Sequence, residues 1–174
     1  MRKSSETVHI SVMDKDHIVF VGKVESIQGI RSVAALGIRK EAYQTASGKA
    51  IIAFMPEQEL ESHISRINFR TYLPNTITNR EELLRDLQSV KQNGYAVDNE
   101  EYELGGICVA SPIFDDSGRA IAAVSISGPT TRVSLEKAKN EFSVYVKETA
   151  VQLSREMGYL NQEYFHELLD KAGW

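Results

Sequence analysis

Residues 105 to 129 of this 174-residue chain read GGICVASPIFDDSGRAIAAVSISGP, two apolar, strand-forming runs split by Asp115-Asp116-Ser117-Gly118. A turn of that composition between two such runs predicts an antiparallel hairpin, which any fold of the chain has to extend into a sheet. On a strand alternate side chains share a face, so Cys108, Ala110 and Pro112 point one way, while Ser125 and Ser127 go with Ile121 and Ala123. Whether the cysteine and the serines meet depends on the turn. A loop of two or four residues sets Cys108 opposite Ser125 and Gly106 opposite Ser127, whereas a three-residue loop with Gly118 as a bulge shifts the register by one and separates them.

The other elements follow from periodicity and caps. Val8, Ile10 and Val12 alternate, Asp14-Lys15-Asp16 turns the chain, and Ile18 to Val21 is β-branched or aromatic, a second hairpin. Ser47 is placed to cap a short apolar helix over Ala50 to Phe54. Pro56, with Glu57 and Glu59 behind it, reads as the first turn of another helix, and Thr78 or Asn79 caps a third whose Leu83, Leu84, Leu87 and Val90 share a face until Gly94. Tyr95 to Asp98 reads as a strand. From Leu135 through Phe142, Val146 and Leu153 to Met157 apolar residues keep helical spacing, with Gly158 as a stop and a final short helix over 161–171. This order predicts an α+β fold built on a mainly antiparallel sheet.

Composition bounds the function. At 42% hydrophobic and 25% charged, the chain is expected to form one domain over 1–174 with one core. Its single cysteine points to a reducing, cytoplasmic setting, and no segment has the apolar length of a signal peptide core or a membrane helix. A net charge of −4 with scattered lysines and arginines offers no basic stripe for phosphates, so DNA binding by these residues themselves is not expected.

Catalytic and cofactor motifs fail one by one. Ser47-Gly48-Lys49 has Tyr43 where a phosphate loop needs glycine and Ala50 where it needs Ser or Thr. The chain contains no G-x-S-x-G elbow, and His166-Glu167 lacks the second histidine of a zinc-protease helix. His9, His17, His63 and His166 are dispersed, so no metal, cofactor or catalytic residue is expected, and Cys108 reads as inert core. The run Asp98 to Glu103 reads, on composition, as a solvated acidic loop.

The series ETVHI (6–10), TASGKAIIAF (45–54), LPNTIT (73–78), GYAVDNEE (94–101) and the hairpin itself resembles the effector-binding domain of the IclR family of bacterial transcriptional regulators, over about residues 5–157. The resemblance implies a GAF-like domain with a curved sheet flanked by helices, and a pocket for a small organic acid between a helix-opening loop, an acidic loop and the hairpin. Carried onto this sequence, it implies that the backbone amides of Ala46 and Ser47 receive a carboxylate, that Asp98 is the acidic position, and that Cys108, Ser125 and Ser127 are the hairpin's handles. It favours the even-loop register. It further implies a homodimer or tetramer, no membrane, and contact with DNA only through a winged helix-turn-helix that lies outside this chain. Gly106 and Ile107 depart from the usual residues at their positions, and 158–174 is a tail outside the resemblance that covers either a subunit contact or its own domain. Two rival readings are a small enzyme using Cys108 or the Asp98–Glu103 loop, and a dimerisation module without ligand.

Overall fold

The computed structural model describes residues 1–32, 34–161 and 163–164. Its strands are β1 (Thr7–Asp14), β2 (His17–Val24), β3 (Arg39–Glu41), β4 (Ala96–Asn99), β5 (Gly106–Phe114) and β6 (Ala120–Pro129). They form one antiparallel sheet in the order β3-β2-β1-β6-β5-β4, the α+β architecture expected from the sequence. The expected hairpin at the start is β1–β2, turned through Lys15 at φ 58°.

The sheet is covered on both faces, so the core is two layers rather than one. Val8, Ile10 and Val12 of β1, Val109 and Ile113 of β5, and Val124 and Ile126 of β6 face the C-terminal helix, against Phe142, Val146 and Ala150. The alternate residues, Cys108 and Ala110 of β5 and Ala123 of β6, face a second cluster with Ala46, Ala50, Ile51 and Ile52 of helix α1 (Ala46–Ile52) and Leu83, Leu87 and Val90 of α3 (Arg80–Asn93). The expectation of one core missed that a sheet buried on both sides separates its two faces.

Helix α1 is where the reading of the N-terminus changes. Thr45, not Ser47, is the N-cap: its Oγ1 accepts from the Gly48 amide at 3.1 Å, which places Ser47 inside the first turn. The helix lies so close to the preceding turn that a Cβ on Gly48 would sit 2.0 Å from the Ala42 carbonyl oxygen. Pro56 stands one residue earlier than expected, as N-cap of α2 (Glu57–Arg66). In α3 the cap is Asn79, whose Oδ1 accepts from the Glu82 amide while the Glu82 carboxylate reaches back to the Thr78 amide, a reciprocal capping arrangement.

The long C-terminal helix is continuous but not uniform. It opens as α4 (Leu135–Lys137) under a Ser134 cap, widens into a π turn over Ala138–Phe142, and continues as α5 (Ser143–Glu156), with Gly158 at φ 90° just after its end. Beyond it, Tyr159 and Tyr164 pack on Phe114 at 5.1 and 5.2 Å between ring centroids, so the described part of the tail covers its own domain. The expected helix over 161–171 falls largely outside the described residues. No described helix is long and apolar enough to cross a membrane.

The β5–β6 hairpin resolves the question of the turn in an unexpected way. Asp115 donates its amide to the Arg119 carbonyl and Phe114 pairs with Ala120, so the loop is the three-residue one, with Gly118 at φ 79°. That loop alone would separate Cys108 from the serines. A second irregularity follows at once: Ile113 pairs with Ala122, leaving Ile121 as an extra residue in β6. The two shifts add to an even displacement, so the faces coincide again, one pair further along: Cys108 stands opposite Ser127, not Ser125, and Gly106 opposite Pro129, not Ser127.

Candidate functional site

A cavity of about 210 Å³ opens at one end of the sheet, on the α1 side. Its floor is a row of cross-strand partners, Asp98 on β4, Cys108 on β5 and Ser127 on β6, which continues to Thr7 on β1. The Ser127 hydroxyl donates to the Cys108 sulfur at 3.1 Å. Thr45 and Ser47 bring the start of α1 to the cavity wall, Phe20 and Lys40 come from β2 and β3, and Tyr102 to Gly106 close the side after β4.

The acidic run is not a solvated loop. Asp98 and Glu101 are buried, and Asp98 Oδ1 accepts from the Glu101 amide at 2.9 Å, folding the loop onto its own strand. Glu101 in turn takes the Lys49 ammonium at 2.7 and 2.9 Å. Lys49 lies in the middle of α1, fully buried, with Asp86 of α3 as a second carboxylate at 3.0 Å. Burial alone would lower its pKa, but Glu101 and Asp86 outweigh that and hold it above the ordinary lysine value, so the ammonium stays charged. One buried lysine therefore joins the helix start to the acidic loop, two walls of the cavity. Burial also lifts Asp98 to about 6, against the pull of the Glu101 amide and Lys49.

A connecting segment between β2 and β3 forms the roof, where Ile30, Arg31, Ser32 and Ala34 line the cavity. It is tied down to the start of β1. Thr7 Oγ1 accepts from the Ser26 amide and donates to the Ser32 carbonyl, and Ser26 Oγ donates to the Ser5 carbonyl at 2.6 Å. Arg132 clasps the buried Glu6 carboxylate at 2.8 and 3.0 Å and donates to the Ile30 carbonyl at 2.6 Å. Arg31, which also meets Glu25 at 3.5 Å, and Lys40 bring two cations to the lining; the Lys40 ammonium rests 4.0 Å from the Tyr102 ring centroid.

Of the residues singled out from the sequence, Ser47, Asp98, Cys108 and Ser127 line the cavity. Ala46 and Ser125 lie behind it, both fully buried. The first amides of a helix have no intrahelical partner; Thr45 takes that of Gly48, and of Ala46 and Ser47 only Ser47 reaches the cavity wall. Cys108 is half-buried, and burial, reinforced by the Asp98 charge, pushes its thiol to about 11. The groups acting on it are Asp98, Ser127, Ser125 and Lys40, none of which is an imidazole base. Among the described residues no group of three or more His, Cys, Asp and Glu side chains is placed to hold a metal ion.

Sequence reasoning missed Arg31, Lys40 and Phe20, and it missed the polar face of β1. Thr7, His9 and Ser11 alternate with the apolar stripe, yet they are exposed by 0%, 1% and 0%. The signal that could have found them is the burial of the partner strand: Ser125 and Ser127, which they pair with, lie in an otherwise apolar run.

Comparison with known proteins returns one family. The model for "Bacterial transcriptional regulator IclR C-terminal" matches residues 1–155. The HTH-type transcriptional regulator KdgR of Dickeya chrysanthemi is 39% identical over 154 residues, which is 88% of this chain and 50% of that protein. The chain thus spans half the length of that relative. The crystal structure of the Thermotoga maritima IclR superposes with a TM-score of 0.86 at 44% identity, covering 91% of this chain and 64% of that one. The inducer-binding domain of a double mutant of the transcription factor PobR from Acinetobacter, in complex with 3-hydroxybenzoic acid, superposes with a TM-score of 0.79 at 28% identity, covering 88% and 90%.

Proposed function

The chain belongs to the family of IclR C-terminal domains, and from that premise we propose that it is the sensing domain of a transcriptional regulator, binding a small organic acid in the cavity beside Ser127. The observation that carries the reading is the cavity's composition: a partly open space of about 210 Å³ in which the hydroxyls of Thr45, Ser47 and Ser127, the Asp98 carboxyl and two cations, Arg31 and Lys40, share the wall with Phe20, Ile30, Leu104 and Ile107. A ligand pocket has this character, apolar surface with placed polar groups that fix orientation. The relative holding 3-hydroxybenzoic acid agrees with an acid as the ligand class.

In this reading the ligand carboxylate lies against the amides of Ala46 and Ser47, with Lys40 and Arg31 compensating its charge. Ser127 and Cys108 give hydrogen bonds to a second oxygen, Ser125 supports them from behind, and Asp98 accepts from a ligand hydroxyl or, protonated, donates to an oxygen. The raised Asp98 carboxyl suits this role, since a fully ionised group there would repel an acid. The roof is bound to the first residues of β1, so closing it over a ligand pulls on Ser5, Glu6 and Thr7. DNA contact belongs to a winged helix-turn-helix outside these residues, and assembly is as a dimer or tetramer. A coupling of about 1 to 3 kcal/mol between the sites, a factor of about 5 to 150, is enough for regulation.

The test is the melting temperature against a panel of keto, hydroxy, sugar and aromatic acids, repeated with Ser127→Val. A ligand at about 100 times its dissociation constant adds about 2.7 kcal/mol, a rise of about 5 to 10 °C at this chain length. A rise with one chemical class that shrinks in the variant supports the reading. No rise with any acid at millimolar concentration refutes it.

A further inference from the structure

His9 occupies the centre of the buried polar face of β1, and it is the place where hydrogen bonding fails. The residue is 1% exposed, and neither ring nitrogen makes a well-formed hydrogen bond, the Ala34 carbonyl being the acceptor that acts on the ring. Directly across the strand pair stands Ser125, fully buried, whose hydroxyl makes no well-formed hydrogen bond and acts on the Cys108 thiol. Its neighbours on the same face are satisfied: Thr7 is bonded to Ser26 and Ser32, and Ser11 to the Ser47 hydroxyl. A fourth unpartnered buried atom, Arg31 Nε, belongs to a residue of the cavity lining. Leaving a buried polar group unbonded costs about 1 to 3 kcal/mol each, so such a concentration around one cavity calls for an occupant.

The Phe20 ring links His9 to that cavity: it lines the cavity and packs on the imidazole at 4.7 Å between centroids, tilted by 43°. We infer that His9 and Ser125 form a deeper polar subsite of the effector cavity, which takes a hydroxyl or carbonyl oxygen at the end of the ligand remote from its carboxylate. The inference rests on the acid-binding reading above and adds His9 as a residue that selects among acids.

The charge around His9 decides which oxygen it accepts. Burial, with Lys23 and Lys40 adding repulsion, lowers the imidazole to about 4, so it is neutral and offers one donor and one acceptor. The facing Ser125 hydroxyl can donate to the bare nitrogen, which leaves the ring N–H to be shared between the Ala34 carbonyl and the ligand. A neutral donor beside a hydroxyl suits an uncharged oxygen and gives a second carboxylate no counter-charge. The ligand class is therefore a monocarboxylic acid with a distal hydroxyl or carbonyl, in preference to a plain fatty acid or a dicarboxylate.

The experiment is calorimetric titration of the purified chain with three pairs of acids, each with its deoxy counterpart: gluconate and hexanoate, glycerate and propionate, 3-hydroxybenzoate and benzoate. In the wild type at least one hydroxy acid binds about tenfold tighter than its counterpart, the worth of one hydrogen bond. His9→Leu abolishes that difference while leaving the deoxy acid within twofold, and His9→Gln, which keeps a donor and an acceptor, retains part of it. Imidazole nitrogen NMR of the wild type needs no variant and shows the His9 signals moving with the hydroxy acid only. The inference is overturned if His9→Leu or His9→Gln weakens both members of a pair equally, if the preference survives both variants, or if the His9 signals stay in place while a hydroxy acid binds. If no acid binds the wild type at all, the acid-binding reading fails and takes this one with it, an outcome distinct from the others.

Discussion

Replacing Lys49 with methionine tests whether the buried ion pair organises the cavity walls. The ammonium is 1% exposed and lies 2.7 Å from Glu101 and 3.0 Å from Asp86. Methionine fills much of the same volume but leaves Glu101, 8% exposed, facing Asp86 with no cation between them. Breaking a buried pair by removing one partner costs about 3 to 5 kcal/mol, because the remaining charge is stranded. At about 2 to 4 °C per kcal/mol for a chain of this length, the melting temperature falls by about 6 to 20 °C. The sign of its pH dependence is fixed too. Glu101 is already pushed up to about 7 by burial against the pull of Lys49, and losing the lysine raises it further. A carboxyl whose folded pKa lies above its unfolded value stabilises the fold while protonated and loses that contribution as pH rises, so the variant's deficit is small near pH 5 and develops as pH rises through and above about 7, where wild-type Glu101 ionises and the variant's does not. Urea unfolding followed by far-ultraviolet circular dichroism at pH 5 and pH 8 measures it, and Lys49→Met with Glu101→Leu should recover most of the loss. A cost under about 1 kcal/mol at pH 8, or the same cost at both pH values, would refute the reasoning.

Three further outcomes follow from the geometry. With its thiol at about 11, Cys108 should react with iodoacetamide at pH 7.5 roughly 300-fold more slowly than a free cysteine of pKa about 8.5; labelling at the free-cysteine rate in a mass-spectrometric time course would contradict this. Gly48→Ala drives a Cβ to 2.0 Å from backbone oxygen and should cost more than about 3 kcal/mol, while Gly29→Ala, with nothing within 4 Å, serves as a near-neutral control in the same thermal melt. Asp98, raised from 3.8 to about 6, favours the folded state when protonated, so it contributes a fall in stability of about 3 kcal/mol as pH rises from about 4 to 6; Asp98→Asn should flatten that part of the pH–stability curve, and an unchanged slope would exclude the assignment.

The elements were legible because their signals are local. Asn79, Ser134 and the heptad-like spacing of Leu83, Leu87 and Val90 act within a few residues, and so do the caps and faces they specify. The N-cap of α1 misled because Thr45 and Ser47 are both competent hydroxyls, and the choice is made by the fit of Gly48 against Ala42, a contact that composition does not display. The acidic loop misled for a related reason: what draws Glu101 inside is Lys49, 52 positions away. At the site, the hairpin residues and Asp98 were accessible through resemblance, whereas Arg31 sits in a connecting segment and Lys40 in the three-residue β3, too short to show periodicity. His9 was hidden by the rule that polar residues alternating with apolar ones face water, which fails where both faces of a sheet are covered.

The paired irregularities of the β5–β6 hairpin act like two compensating frameshifts. Each alone puts the downstream strand out of phase, and together they return Ser127 to the frame in which it meets Cys108. Phase, rather than length, is thus what an insertion or deletion near this turn has to respect. Losing Ile121 by itself would close the bulge and leave Ser127 opposite Cys108, with Val124 and Ile126 still in the helix layer, so the bulge is the point at which this strand can shed a residue and keep its faces.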